Sequence, residues 1–126
     1  MKKVLLLALL ALAPNRAADD VSRRKESMDR AQEWKDDLKD ALDAKARTKS
    51  VELAEKLAKA GAEEAAYWKS AKQDDISKLA TDNLEAARRI VLSAKAGKFD
   101  QALRAYDRLE ITCRACHDLH PEKRQK

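Results

Sequence analysis

Between Pro14 and Pro121 the chain has no proline, and only Gly61 and Gly97 interrupt it as glycines. Proline removes an i→i−4 hydrogen bond, and glycine costs a helix interior up to about 1 kcal/mol relative to alanine. A long stretch nearly free of both, and dominated by alanine, leucine, lysine and acids, therefore propagates helix. No segment alternates apolar and polar residues as a half-buried strand requires. Of the 126 residues 39% are charged, which suits amphipathic helices with solvated outer faces.

Apolar residues at three, four and seven residue steps divide the chain into four such helices. A first helix is expected over residues 20–46, with Val21, Met28, Ala31, Trp34 or Lys35, Leu38, Ala41 and Leu42 inward. Ser50 is placed to cap a second over 51–69, with Ala54, Leu57, Ala58, Gly61, Ala65 and Trp68 inward. Gly61 fits a close helix crossing, room for a cofactor edge, or a tolerated surface position. Asp74 or Asp75 caps a third, whose stripe is Ile76, Leu79, Ala80, Asn83, Ala87, Ile90, Val91 and Ala94 and whose end is Gly97 as a C′ residue. Asp100 caps the fourth, with Ala102, Leu103, Tyr106, Leu109, Cys113 and Cys116 inward, and Pro121 stops it. Four helices of about 20 residues joined by short connections imply an all-α, up-down-up-down antiparallel four-helix bundle.

Cys113, Arg114, Ala115, Cys116 and His117 form a CxxCH motif on the last stripe. This is the attachment signature of a c-type haem: two thiols bond covalently to the macrocycle and the histidine ligates iron. Residues three and four apart share a helix face, so one ring meets all three side chains. Two other readings compete. Zinc wants four protein ligands, and only His120 one turn on is at hand, which strains a tetrahedron. A thioredoxin-like redox pair wants alternating strands and helices.

The N-terminus carries Met1, Lys2 and Lys3, an apolar run over 4–13, and then small and polar residues. That is the form of a secretory signal peptide, expected over 1–18 with cleavage after Ala17 or Ala18, leaving a haem domain over 19–126. The expected address is the periplasm or the extracellular side. Removing Lys2, Lys3 and Arg16 takes the 27 basic and 22 acidic residues to 24 against 22, so the formal +5 of the whole chain is no argument for nucleic acid. With both cysteines in the motif, no pair is left for a structural disulfide.

Met28 is then the only methionine of the mature chain and sits on the inner stripe of the first helix. In an antiparallel bundle the early first helix faces the late fourth. Met28 is about 12 Å from its helix start and His117 about 5 Å from its helix end, so a ring spans the two. His117 is the proximal iron ligand and Met28 the expected distal one, since a thioether partners histidine on haem iron; the bland reading of Met28 is core filling. His120 lies on nearly the same face as His117 and suits a propionate partner or an exposed terminal side chain.

On these residues the mature chain resembles the cytochrome c prime family, whose members are exported four-helix bundles with CxxCH near the end of the fourth helix. Arg24, Lys25, Glu26, Ser27 and Met28 are similar to the Arg-x-x-x-Met context of its low-spin, methionine-ligated branch. Where the family commonly carries an aromatic and then a basic residue, this chain has His120 and Pro121. The resemblance implies one covalent haem c and, in many members, homodimers through the first two helices. The leading expectation is a one-electron carrier and not an enzyme, passing electrons between exported or membrane-bound redox proteins. The alternative is a five-coordinate haem protein binding nitric oxide or carbon monoxide. A small peroxidase lacks a well-placed distal histidine, and a cofactor-free structural bundle is the fourth reading.

Overall fold

The computed structural model describes residues 16–119, with side chains from Ser22 onward. Among the described residues four helices follow one another: α1 over Arg16–Asp43, α2 over Arg47–Ser70, α3 over Asp74–Lys95 and α4 over Phe99–Leu119. No strand occurs among the described residues. Each helix packs on the next, and α1 also touches α4, so all four surround one core. The centre of that core is Leu38 and Leu42 of α1, Leu53, Ala54 and Leu57 of α2, Ala87 and Ile90 of α3, and Ala102, Tyr106 and Leu109 of α4. No described helix is long and apolar enough to cross a membrane. The expected leader over 1–18 lies almost wholly outside the described residues, as do His120 and Pro121.

The connections are three copies of one turn. After α1, Lys45 adopts φ +54°, its N–H donates to Leu42 O at 3.1 Å, and Ala46 N–H donates to Ala41 O at 2.9 Å. After α2, Lys72 at φ +57° and Gln73 repeat the pattern on Lys69 O and Trp68 O. After α3, Gly97 at φ +72° and Lys98 repeat it on Ala94 O and Ser93 O. This is the Schellman motif, in which a left-handed residue ends the helix and two orphan carbonyls are satisfied. The last residue of each turn then starts the next helix: Ala46, Gln73 and Lys98 accept from Ser50, Ser77 and Ala102 N–H.

Gly97 as the C′ residue of α3 agrees with the sequence reading. The N-caps do not. Ser50 is a fourth-position helical residue, fully buried, and Ala46 is the N-cap of α2. Asp74 and Asp75 lie within the first turn of α3 behind Gln73, and Asp100 lies within the first turn of α4. The compact turn leaves no spare residue between helices, so the polar side chains expected as caps fall inside the first turn. There the aspartates still meet the positive end of the helix dipole. The same turn ends α1 at Asp43, three residues short of expectation.

Candidate functional site

Toward the end of the bundle opposite the Gly97 turn, the helices enclose a mostly apolar cleft of about 380 Å³. Met28, Ala31 and Lys35 line it from α1, Leu57, Gly61 and Glu64 from α2, Ile76, Leu79 and Asn83 from α3, and Cys113, Cys116 and His117 from α4. The four residues singled out in the sequence, Met28, Cys113, Cys116 and His117, thus share one cavity. Its volume falls within the range of roughly 300–1,000 Å³ typical of small-molecule and cofactor clefts.

Gly61 is buried, and a β-carbon there would stand 3.4 Å from Cα and Cβ of Leu84. That is ordinary van der Waals contact, so the crossing of α2 and α3 would also admit a β-carbon, while the burial of Gly61 removes the surface reading of that glycine.

Cys113 and Cys116 are free, partly buried thiols. Burial pushes both thiols above their ordinary value, with Glu64 adding to the effect at Cys116. Asn83, a residue of the expected α3 stripe, donates from Nδ2 to Thr112 Oγ1 at 2.8 Å and to Cys113 Sγ at 3.2 Å. It therefore ties α3 to α4 at the motif's first cysteine and fixes that side chain against the cleft.

Two polar clusters frame the cleft. On one side Lys35, only 9% exposed, places Nζ 2.9 Å from Glu110 Oε1. Tyr106 OH donates to Lys35 O at 3.0 Å and to Glu110 Oε1 at 3.3 Å. Burial opposes the charged carboxylate, but the Lys35 ammonium and the Tyr106 hydroxyl outweigh it and hold Glu110 below the usual glutamate value. Burial and the same carboxylate push the Tyr106 phenol well above its ordinary range. On the other side Arg24 pairs with Glu64 at 3.0 Å, and Trp68 Nε1 donates to the same carboxylate oxygen at 2.7 Å. The Arg24 guanidinium also lies 4.2 Å from the Tyr67 ring centre and 4.3 Å from that of Trp68. Together these contacts clamp α1 to α2 one helical turn before Met28.

Sequence reasoning named Lys35 only as an alternative to Trp34 and did not find Glu110. The available signal was the strict seven-residue step Met28, Lys35, Leu42. Its partner on α4 is far away in sequence and carries no local mark.

No family model, curated protein or solved structure matches the chain.

Proposed function

We propose that this chain is a c-type cytochrome of the cytochrome c prime kind, methionine-ligated and exported, that carries single electrons between exported or membrane-bound redox proteins. The observation that carries the reading is the shared cleft, into which the CxxCH motif of α4 and the lone mature methionine of α1 both open. A covalently bound haem c would supply a reversible one-electron couple.

The chain's own residues have separable roles in this reading. Cys113 and Cys116 anchor the macrocycle as thioethers. His117 and Met28 would be the residues that hold the iron, and a methionine–histidine pair would raise its potential. Leu57, Ile76 and Leu79 would keep the ring out of water, and Gly61 adds no side chain to the cleft wall. Asn83 holds the Cys113 side chain, and the Arg24 clamp steadies the α1 turn that bears Met28. An up-down-up-down course belongs to the same proposal. In its support, Arg24 meets Glu64 while Trp34 meets Lys56, and Gly61 meets Leu84 while Glu55 meets Lys95. Later residues of one helix thus face earlier residues of the next.

Visible spectra of the matured protein, oxidised and reduced, with and without carbon monoxide, test this reading. The expected result is a low-spin spectrum with a methionine-to-iron charge-transfer band, insensitive to carbon monoxide, that turns high-spin in Met28→Ala. A high-spin spectrum unchanged by Met28→Ala would instead assign the chain to gas binding at an open distal position.

A further inference from the structure

A second concavity, about 530 Å³, lies between α3 and α4 and shares no lining residue with the first. Its rim is Arg89 and Leu92 on α3 and Arg104 and Arg108 on α4, with Ser93 and Gln101 between them. Described basic side chains that hold a carboxylate within 4 Å include Arg24, Lys25, Lys35, Lys39, Lys56, Lys78, Lys95 and Arg114, while others such as Arg30, Arg47 and Arg88 have none among the described residues. Among the described residues the three groove arginines hold none, although Glu85 precedes Arg89 by four residues and Asp107 follows Arg104 by three. Those spacings permit pairing on a helix. Three guanidinium groups around one groove thus have no carboxylate partner among the described residues.

Within it Leu92 is 69% exposed, the most exposed large apolar side chain among the described residues. On α4 the stripe through Arg104 and Arg108 continues at helical spacing to Ile111, 62% exposed, and on to Ala115 between the two cysteines. A basic rim around apolar anchors that runs toward the haem motif has the anatomy of a protein-docking face: apolar centre, charged surround.

We propose that the α3–α4 groove docks an acidic helix of another protein, its carboxylates engaging Arg89, Arg104 and Arg108 while an apolar side chain seats on Leu92. Guanidinium forks match carboxylates bidentately, which lysines do not. The chain's own termini are poor occupants. Residues 120–126 offer Glu122 against Lys123, Arg124 and Lys126, and residues 1–15 offer no acid at all. A second copy is also a poor fit. Its α1 presents Glu33, Asp36, Asp37 and Asp40, but Arg30 precedes them, Lys39 stands among them, and no exposed apolar side chain lies among them to meet Leu92. The proposal stands whether or not the cofactor reading does.

The test is a titration of the mature full-length chain, with or without cofactor, by a synthetic helical peptide. Its glutamates stand at i, i+4 and i+7 around one leucine, and the response is followed by amide NMR shifts and calorimetry. Binding is expected with shifts centred on Arg89, Leu92, Arg104 and Arg108. It should weaken at least about tenfold in Arg104→Gln/Arg108→Gln and in Leu92→Ser, as truncation of a docking hot spot does, and weaken steeply with added salt. Both variants sit at exposed positions and should melt at the parent temperature. Shifts elsewhere, no binding, or equal binding of a glutamine-substituted peptide would overturn the proposal. So would tighter binding of a DNA oligonucleotide or of anionic vesicles, or a chain that self-associates through the groove and excludes the peptide.

Discussion

Lys35 shows what a buried charge does to this domain. It occupies a core position of α1, and its ammonium is accepted by Glu110, which keeps 29% side-chain exposure. Removing one member of such a pair strands the other, so Lys35→Ala should cost about 1–3 kcal/mol in urea denaturation, while Lys35→Met/Glu110→Gln should recover much of that. The pH dependence follows from the two shifts. Glu110 is held below the ordinary glutamate value near 4.5, so its stabilisation is complete above that pH and is lost as pH falls through the folded value. Tyr106 is shifted upward, so its contribution is complete below pH 10.0 and is lost as pH rises beyond it. Stability measured against pH should fall at both ends, and Glu110→Gln should flatten the acid limb. Ser50 is the opposite case. Its hydroxyl is fully buried with no hydrogen-bond partner, so Ser50→Ala should raise stability by about 1 kcal/mol in the same assay.

The helices owe their lengths to the repeated turn more than to any cap. Lys45 and Lys72 adopt the left-handed conformation that glycine takes at Gly97. An L-residue there bears a steric penalty of about 1–2 kcal/mol. Lys45→Gly and Lys72→Gly should therefore each gain about 0.5 kcal/mol after the greater unfolded-state freedom of glycine is discounted. Gly97→Ala should lose about 1 kcal/mol, as read from thermal melts. At Gly97 a β-carbon would also approach Arg47 Nη2 at 2.5 Å, but that is the end of a flexible side chain and can move, so the backbone sets the cost. These turns explain the legible and illegible parts of the helix boundaries. Gly97 announces its turn by residue type, whereas Lys45 and Lys72 are good helix formers placed in a conformation their chemistry does not favour. Their turns were invisible, and Ser50 and either Asp74 or Asp75 took their place in the reading as caps.

Across the whole molecule, the four helices and most of their inner stripes were legible because one helical period runs through a chain almost without breakers. Leu53, Leu84, Ala105 and Thr112 escaped because burial at a four-helix centre is broader than a single stripe, and the width is set by neighbours. The candidate site was legible in its residues, Met28 and Cys113 to His117. It was illegible in its surroundings, since Lys35 with Glu110 and Arg24 with Glu64 pair residues from different helices. What joins these scales is the proposed covalent porphyrin, in the cleft that Met28 of α1 and the CxxCH motif of α4 both line. The most direct measurement is the denatured mass of protein produced with a cytochrome c maturation system and exported. The expected mass is the mature polypeptide plus one haem that denaturation does not remove, reduced to the bare polypeptide in Cys113→Ala/Cys116→Ala. Bare polypeptide from the unmutated chain under those conditions would contradict the central claim.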